Sequence, residues 1–297
     1  MRIACMGLGK LGTACAERLA SNADLAVQAW NRTEAPVPGG VTWCADVGRA
    51  VDGCDAVLLC LRDSHAVQEV LFERGAVAAA RRDTPWIDLT THEVDVARRL
   101  HNMVRKAGGR YLEAPVAGSV MPALRGELTM LVVGEDQAYE TCSPVLTTLA
   151  RTVFRLPEPG HATQLKLLNN FVLAGFLKVL GECAEMGKAW NLDPCHTLQV
   201  LAAGAGDGTV LRGKLPRLLS DDFRPHFTAS LLEKDLRALR RALGDPAHTD
   251  PLGATIEHVA RFSRAPFAEL DIAALLDPDR ALRAMVRGGL HEGGGTR

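Results

Sequence analysis

Three glycines near the N-terminus constrain the fold more than any other feature of this chain. They belong to the G-x-G-x-x-G motif Gly7-Leu8-Gly9-Lys10-Leu11-Gly12, which follows a short apolar segment at residues 2–6 and precedes a helical pattern. In a strand, turn and helix of this kind, the first glycine permits a tight turn, the second lets a diphosphate approach the backbone, and the third lets the helix pack on the strand. The free N–H groups at the helix start attract negative charge. The motif therefore predicts a dinucleotide site.

Strand-like and helix-like segments alternate through the first half of the chain. Apolar segments of strand length lie at residues 2–6, 26–30, 56–61, 86–89, 110–113, 128–133 and 152–156. Helical patterns cover residues 10–21, 65–73 and 93–106. Because this alternation is typical of βαβ units, we expect an α/β fold with an N-terminal Rossmann-type, doubly wound sheet over residues 1–160.

The alternation stops at Pro157-Glu158-Pro159-Gly160, and almost no strand signal follows. Residues 163–190 are apolar nearly all round, which predicts a long helix buried on most sides. Further helical patterns cover residues 195–204, 208–219, 227–243, 250–262 and 280–287. We expect an all-α C-terminal domain over residues 161–297, with a glycine-rich tail at residues 288–297 that frays.

The charge balance argues against two classes of partner. The chain has 34 Lys and Arg against 35 Asp and Glu, so no overall field attracts nucleic acid or an anionic membrane. No stretch approaches the ~20 apolar residues of a membrane span, and the N-terminal segment lacks a signal-peptide pattern. The eight cysteines include no C-x-x-C pair and lie mostly in apolar runs, as buried free thiols do. We expect a cytoplasmic protein without a metal site.

The end of the second strand indicates which dinucleotide binds. NAD sites usually carry Asp or Glu about 20 residues after the glycine motif, where the carboxylate holds the ribose 2′-hydroxyl. Residues 30–33 here read Trp-Asn-Arg-Thr, without a carboxylate. Arg32 offers a planar fork for a 2′-phosphate, and Asn31 and Thr33 add neutral donors. The sequence therefore predicts NADP(H).

Three later segments, residues 113–129, 160–170 and 227–236, resemble the β-hydroxyacid dehydrogenase family. This family includes 3-hydroxyisobutyrate dehydrogenases and glyoxylate/succinic semialdehyde reductases. Its most specific motif here is Lys166-Leu167-Leu168-Asn169-Asn170. The variant Gly118-Ser119-Val120-Met121-Pro122-Ala123, together with residues 31–33, looks most like the glyoxylate/succinic semialdehyde reductase branch.

The resemblance implies that Lys166 is the general acid and base of hydride transfer between a nicotinamide and a carbonyl group. Negative charge develops on the carbonyl oxygen, and a Lys ammonium can hydrogen-bond that oxygen and then donate a proton. Asn170 lies four residues further along a helix, so it shares a face with Lys166 and can hold the Lys or the substrate. The predicted substrate-binding residues are Gly118, Ser119, Lys166 and Asn170.

The predicted cofactor site extends beyond the glycine motif and residues 31–33. Thr90-Thr91 stands where the family has a Ser-Thr pair, and it keeps the hydroxyl that lies near the cofactor in relatives. Lys234 matches a Lys that approaches the nicotinamide in relatives, although it also fits an exposed run of charges with Asp235 and Arg237. The full predicted set comprises Gly7, Leu8, Gly9, Lys10, Leu11, Gly12, Asn31, Arg32, Thr33, Leu61, Arg62, Thr91 and Lys234.

Three residues depart from the family pattern. Glu113 replaces the usual Asp, and His161 replaces a small residue before the helix that carries Lys166. Ala117 replaces a Ser whose hydroxyl helps to hold the substrate carboxylate in relatives. The backbone N–H groups of Gly118 and Ser119, with the Ser119 hydroxyl, are expected to bind that carboxylate instead.

These observations predict an NADPH-dependent reductase of a small carboxylated aldehyde that also oxidises the matching 3- or 4-hydroxy acid. Imine reductases share the fold but generally lack the catalytic Lys, so Lys166 argues against that alternative. A non-catalytic NADP-binding scaffold is a second alternative, and loss of the Lys would be its mark. The apolar segment 163–190 is best buried by a partner, so we expect a homodimer or homotetramer.

Overall fold

A computed structural model of the chain describes residues 1–244 and 251–288. The chain divides into two compact units, Met1–Leu168 and Asn169–Arg297. The boundary between them falls inside the helix His161–Lys188, and not in the Pro-rich segment at residues 157–160.

Six parallel strands form the central sheet of the first unit. They are β1 (Arg2–Met6), β2 (Ala26–Trp30), β3 (Val41–Trp43), β4 (Ala56–Leu59), β5 (Pro85–Asp88) and β6 (Arg110–Glu113). Their spatial order is β3-β2-β1-β4-β5-β6, the strand order of a Rossmann fold. The predicted α/β class is confirmed. The order reverses between β1 and β4, where sheets of this type bind ligands beyond the carboxyl ends of their strands.

The central strands are buried on both faces because helices cover the sheet on both sides. In β1, Ile3 and Cys5 join one hydrophobic core, whereas Ala4 and Met6 join the core on the opposite face. The strand β4 divides in the same way, since successive side chains of a strand point to opposite faces. This double burial explains why the strands appear in the sequence as continuous apolar runs.

Seven α-helices surround these strands: α1 (Lys10–Ala20), α2 (Val47–Val51), α3 (Ser64–Gln68), α4 (Ala76–Ala79), α5 (Val94–Lys106), α6 (Val120–Arg125) and α7 (Asp136–Leu149). A π-helical turn, Glu69–Glu73, continues α3. Helix α5 buries Val94, Ala97, Leu100 and Val104, the spacing of one helix face. The sequence analysis does not predict α2, α4 or α7, and the last of these contains Pro144, a residue that usually ends a helix.

A second sheet of three strands corrects one expectation. Its strands are β7 (Val116–Ala117), β8 (Leu128–Val132) and β9 (Ala150–Arg155). The β7–β8 pair is antiparallel and the β8–β9 pair is parallel, so the last two predicted strands do not extend the central sheet. The physical cause lies after β6, where Pro115 cannot donate a ladder hydrogen bond. An isolated bridge between Glu113 and Val133 joins the two sheets.

The described part of the second unit is helical, which confirms the predicted all-α C-terminal domain. After α8 (His161–Lys188), which begins in the first unit, come α9 (Pro194–Ala202), α10 (Thr209–Leu219), α11 (Ala229–Leu243), α12 (Pro251–Phe262) and α13 (Pro278–Gly288). A short 3₁₀ helix, Ile272–Leu275, precedes α13. Most of the tail that we expect to fray, residues 289–297, lies outside the described residues.

Helix α8 differs from expectation in two respects. By length and composition it is apolar enough to cross a membrane, although no such stretch was expected. Core helices of soluble proteins pass the same test, so the finding carries little weight by itself. The helix is also less buried than predicted, because Val172, Val179 and Met186 are exposed.

Candidate active site

The glycine motif has a distinct packing requirement at each of its three glycines. Gly7 has a φ of +100°, and a Cβ there would lie 2.4 Å from the Cys60 carbonyl oxygen. A Cβ on Gly12 would lie 2.0 Å from the Gly7 carbonyl oxygen, so only glycine allows this contact between turn and helix. A Cβ on Gly9 would meet no atom within 4 Å. Gly9 therefore borders open space, where a diphosphate can approach the backbone.

The start of α1 suits an anion. Gly9 is its N-cap residue, no side chain caps the helix, and its first turn contains no acidic residue. The first N–H groups of a helix have no partner within the helix, and the helix dipole adds positive charge there. The residues at 7–12 thus fit the diphosphate of a nicotinamide dinucleotide.

Asn31 connects the glycine motif to the end of β2. Its Oδ1 accepts a hydrogen bond from the Leu8 N–H at 3.0 Å, and its Nδ2 donates to the Thr33 carbonyl oxygen at 2.9 Å. Both functional groups of this amide therefore hold backbone in place. This arrangement fixes the glycine turn relative to the segment that carries Arg32.

The Arg32 guanidinium is exposed, with 72% of its side chain accessible, and it has a carboxylate neighbour that the sequence did not reveal. Glu69, at the start of the π-helical turn, places Oε2 3.8 Å from Nη1 of Arg32. Its Oε1 accepts hydrogen bonds from Arg74, and these hold the pKa of Glu69 below its ordinary value. The guanidinium groups of Arg32 and Arg74 thus both lie beside the Glu69 carboxylate near the end of β2. These three side chains together carry a net positive charge.

The loops after β4 and β5 are hydrogen-bonded to each other at the same edge of the sheet. The Leu61 N–H donates to Oγ1 of Thr90 at 3.2 Å, which brings the predicted cofactor residues Leu61 and Thr91 close together in space. Arg62, the next predicted residue, has a largely exposed side chain beside Asp63. Because parallel strands end at one edge, these loops and the glycine turn share that edge.

The segment between β7 and α6 contains the predicted carboxylate-binding residues. Gly118 has a φ of +119°, and a Cβ there would lie 2.7 Å from a methyl carbon of Leu128. Ser119 is the N-cap residue of α6, but its side chain does not cap the helix. The role of both residues in binding substrate stays a prediction.

A buried carboxylate holds the start of α8, the helix that carries Lys166. Glu113 is 1% exposed, and it accepts hydrogen bonds from the Gly160 N–H at 2.7 Å and the Thr163 N–H at 2.6 Å. His101 Nε2 lies 3.3 Å from the same carboxylate. Burial raises the pKa of Glu113, but the bonds from His101 and from the two amides outweigh it and hold that pKa below its ordinary value. Lys166, half-buried, follows Thr163 by one helical turn.

In the second unit, Asn170 is fully buried and hydrogen-bonded to a buried carboxylate on α11. Its Nδ2 donates to Oδ2 of Asp235 at 2.7 Å. Lys234 Nζ lies 3.1 Å from the other oxygen, Oδ1, of Asp235. The structure thus joins two predicted site residues, Asn170 and Lys234, through a third that the sequence analysis treated as one member of a charge run.

Two family models match the chain, one after the other. The NAD binding domain of 6-phosphogluconate dehydrogenase matches residues 2–156, and the NAD-binding domain of NADP-dependent 3-hydroxyisobutyrate dehydrogenase matches residues 160–278. The chain belongs to the β-hydroxyacid dehydrogenase family. The resemblance inferred from the motifs is confirmed, and with it membership of a family of NAD(P)-dependent oxidoreductases.

Three known proteins are similar to this β-hydroxyacid dehydrogenase family member over most of its length. Glyoxylate/succinic semialdehyde reductase 1 of Arabidopsis thaliana is 27% identical over 284 residues, which cover 93% of this chain and 98% of the relative. The human cytokine-like nuclear factor N-PAC is 29% identical over 270 residues, which cover 89% of this chain. The chain spans about half the length of the N-PAC proteins that it matches. The solved structure of Psf3 in complex with NADP+ and 2-OPP is 26% identical, with a TM-score of 0.84, and the match covers 93% of this chain and 99% of Psf3.

One residue of this family member, Asp235, could have been identified from the sequence with closer attention to spacing. Asp235 lies three residues after Leu232 and four before Leu239, which places it on the buried face of α11. A carboxylate on an apolar face needs a partner, and this signal was present. Glu113 was noted only as a departure from the family, because its partners at Gly160 and Thr163 are remote in sequence.

Proposed function

We propose that this chain is an NADPH-dependent reductase of small carboxylated aldehydes that also oxidises the matching 3- or 4-hydroxy acids. The observation that carries the proposal is the arrangement on α8, where Lys166 and the buried Asn170 lie four residues apart. Asn170 is held by Asp235, and the first turn of the helix is held by Glu113. Such preorganised polar groups on an apolar helix cost stability, which favours a catalytic role.

Each residue has a defined task in the proposed reaction. When bound, NADPH supplies the hydride that reduces the carbonyl carbon. The Lys166 ammonium hydrogen-bonds the carbonyl oxygen, stabilises the negative charge that develops there, and donates a proton to it. Asn170 orients the Lys or the substrate and does not transfer a proton. Gly118 and Ser119 hold the substrate carboxylate, and the turn at residues 7–12 holds the cofactor diphosphate.

An activity panel distinguishes the proposal from its alternatives. The purified protein is incubated with NADPH and either glyoxylate, succinic semialdehyde or a cyclic imine, and NADPH consumption is followed by absorbance. Turnover with the aldehydes supports the proposal. Turnover with the imine alone would identify an imine reductase. NADPH binding without turnover would identify a non-catalytic scaffold. The scaffold is worth testing because one relative, N-PAC, is named as a nuclear factor.

The preference for NADPH is expected to depend on Arg32. In a binding titration, NADPH should bind more tightly than NADH by ~1–3 kcal/mol, the range of a hydrogen bond to a charged group. Arg32→Ala should remove most of this margin and leave NADH binding unchanged. Arg151→Ala is a matched control, because 74% of the Arg151 side chain is exposed against 72% for Arg32. Equal affinities in the unmodified chain would contradict the proposal.

Substrate binding is expected to depend on the Ser119 hydroxyl. Ser119→Ala should raise KM for carboxylated aldehydes several-fold, in line with the loss of one hydrogen bond to a charged group, and should leave NADPH affinity unchanged. Ala117→Ser restores the residue that is usual in the family, and it should lower KM for small 3-hydroxy acids. Steady-state kinetics in both directions measure these effects. If neither variant changes KM, the carboxylate binds elsewhere.

The proposal also includes an assembly and a location for the protein. The exposed residues Val172, Val179 and Met186 recur every seven residues on α8, and an apolar stripe with this spacing supports packing against another helix. We infer a homodimer or homotetramer in the cytoplasm, with a small carboxylated molecule as ligand and no nucleic acid or membrane partner.

A further inference from the structure

A buried polar network lies behind the loops that follow β4 and β5. Asp88, at the end of β5, contacts His92 Nε2 through Oδ2 at 2.9 Å and accepts a hydrogen bond from the Tyr111 hydroxyl at 2.7 Å. The other ring nitrogen, His92 Nδ1, lies 3.1 Å from the Ser64 hydroxyl. That hydroxyl donates to Oε2 of Glu93 at 2.7 Å. His92 and Asp88 are almost completely buried.

The Ser64 hydroxyl sets the direction of one hydrogen bond in this network. The Ser64 hydroxyl has a single hydrogen, which goes to Glu93, so Ser64 can only accept from His92 Nδ1. Asp88 accepts from the Tyr111 hydroxyl and the Thr90 N–H, and its Oδ2 lies 2.9 Å from His92 Nε2. His92 thus contacts a polar side chain through each ring nitrogen. It links two carboxylates, Asp88 directly and Glu93 through Ser64.

The network contacts three segments of the chain that contain predicted cofactor residues or lie next to them. Asp88 Oδ1 accepts from the Thr90 N–H at 2.8 Å, and Thr90 Oγ1 accepts from the Leu61 N–H at 3.2 Å. Ser64 is the first residue of α3 and comes two positions after Arg62. The predicted cofactor residues Leu61, Arg62 and Thr91 thus lie on backbone that this network holds in place.

We propose that His92 is a positioning residue that fixes the loops after β4 and β5 in the conformation that binds the nicotinamide dinucleotide. This inference rests on the proposed function for its consequence, since the loops matter through the cofactor. The geometry that carries it is independent of any ligand. A packing role alone would require a ring of the right size, but it would not require a polar contact at both ring nitrogens or a hydroxyl at residue 64.

The test uses variants that remove one link at a time. His92→Gln keeps a polar side chain but removes the ring whose two nitrogens contact Ser64 and Asp88 at once, and Ser64→Ala removes the hydroxyl that links His92 to Glu93. Ser64→Thr keeps the hydroxyl and is the conservative variant. Ser220→Ala, an exposed serine of the second unit, is the matched control. Thermal unfolding of each variant identifies any that does not fold.

Two measurements are made on each variant: amide hydrogen exchange at Leu61 and Thr90 without ligand, and NADPH affinity by fluorescence titration. We expect His92→Gln and Ser64→Ala to exchange faster at both amides and to bind NADPH about tenfold more weakly, the loss expected when one partner of a buried hydrogen bond is removed. Ser64→Thr and Ser220→Ala should match the unmodified protein. Unchanged exchange and affinity in both His92→Gln and Ser64→Ala would overturn the inference.

The same measurements separate this inference from the proposed function. If the unmodified protein binds no NADPH, the proposed function fails, while faster exchange in the variants would still support the positioning of the loops by His92. If the unmodified protein binds NADPH but Ser64→Thr is as impaired as Ser64→Ala, the hydroxyl relay is wrong although the proposed function stands.

Discussion

Lys166→Ala is expected to lower kcat for NADPH-dependent aldehyde reduction by ~10²–10⁴, the usual contribution of a positioned general acid. NADPH affinity should stay the same, because the lysine acts on the substrate oxygen and not on the cofactor diphosphate. Asn170→Ala should lower kcat by a smaller factor, because the amide orients a partner and transfers no proton. Single-turnover rates and a separate NADPH titration measure the two effects. Lys178→Ala, on the same helix, is the control because Lys178 pairs with Glu182.

The dependence of the rate on pH tests proton donation itself. As a donor Lys166 must be protonated, so reduction should slow as the pH rises, and alcohol oxidation should accelerate toward alkaline pH. Lys166→Arg keeps the positive charge but cannot supply a proton near neutrality. If Lys166→Arg retained full activity and the same pH profile, the lysine would have at most an electrostatic role.

Glu113→Gln is expected to lower the free energy of unfolding by about 3 kcal/mol, because it breaks charge-assisted hydrogen bonds in a buried site. It should also lower kcat, since the loss loosens the first turn of the helix that carries Lys166. Glu113→Asp introduces the residue that is usual in the family and keeps the charge. This variant should retain more of the stability and more of kcat than Glu113→Gln does. Urea unfolding at neutral pH measures the change. Glu127→Gln, on an exposed carboxylate, should change stability by less than about 0.5 kcal/mol.

The stabilising effect of Glu113 is expected to depend on pH in a defined direction. Its pKa is lower in the folded protein than in the unfolded chain, so its contribution is complete above the unfolded value, about 4.3. The contribution is then lost as the pH falls through the lower, folded value. The stability difference between the unmodified protein and Glu113→Gln should therefore shrink in acid. A difference that stays constant from neutral to strongly acidic pH would contradict this assignment.

The sequence predicts those parts of the fold that depend on local pattern. The sequence predicts the turn at Gly7 and Gly12 because the packing there leaves no room for a Cβ, so glycine is required. It predicts β4 because a strand that is buried on both faces consists of a continuous apolar run. Helix α7 was missed because Pro144 hides its periodicity.

The site is less predictable because its polar contacts join distant parts of the chain. Glu113 contacts Thr163, Glu69 contacts Arg32 and Asp235 contacts Asn170, and no local pattern identifies the partner in any of these pairs. The motifs identify the side chains that we propose carry out the chemistry. Tertiary packing decides which other side chains hold them, and those partners need only suitable polarity and reach.

The continuity of helix α8 from residue 161 to residue 188 has a consequence for the proposed reaction. Four residues of α-helix rise about 6 Å and turn slightly more than once, so the offset between Lys166 and Asn170 is set by one stretch of backbone hydrogen bonds. In the proposed reaction, no step has to bring this pair together. The entropy of bringing the two residues onto one helix face is lost once, when the chain folds, and not again at each turnover.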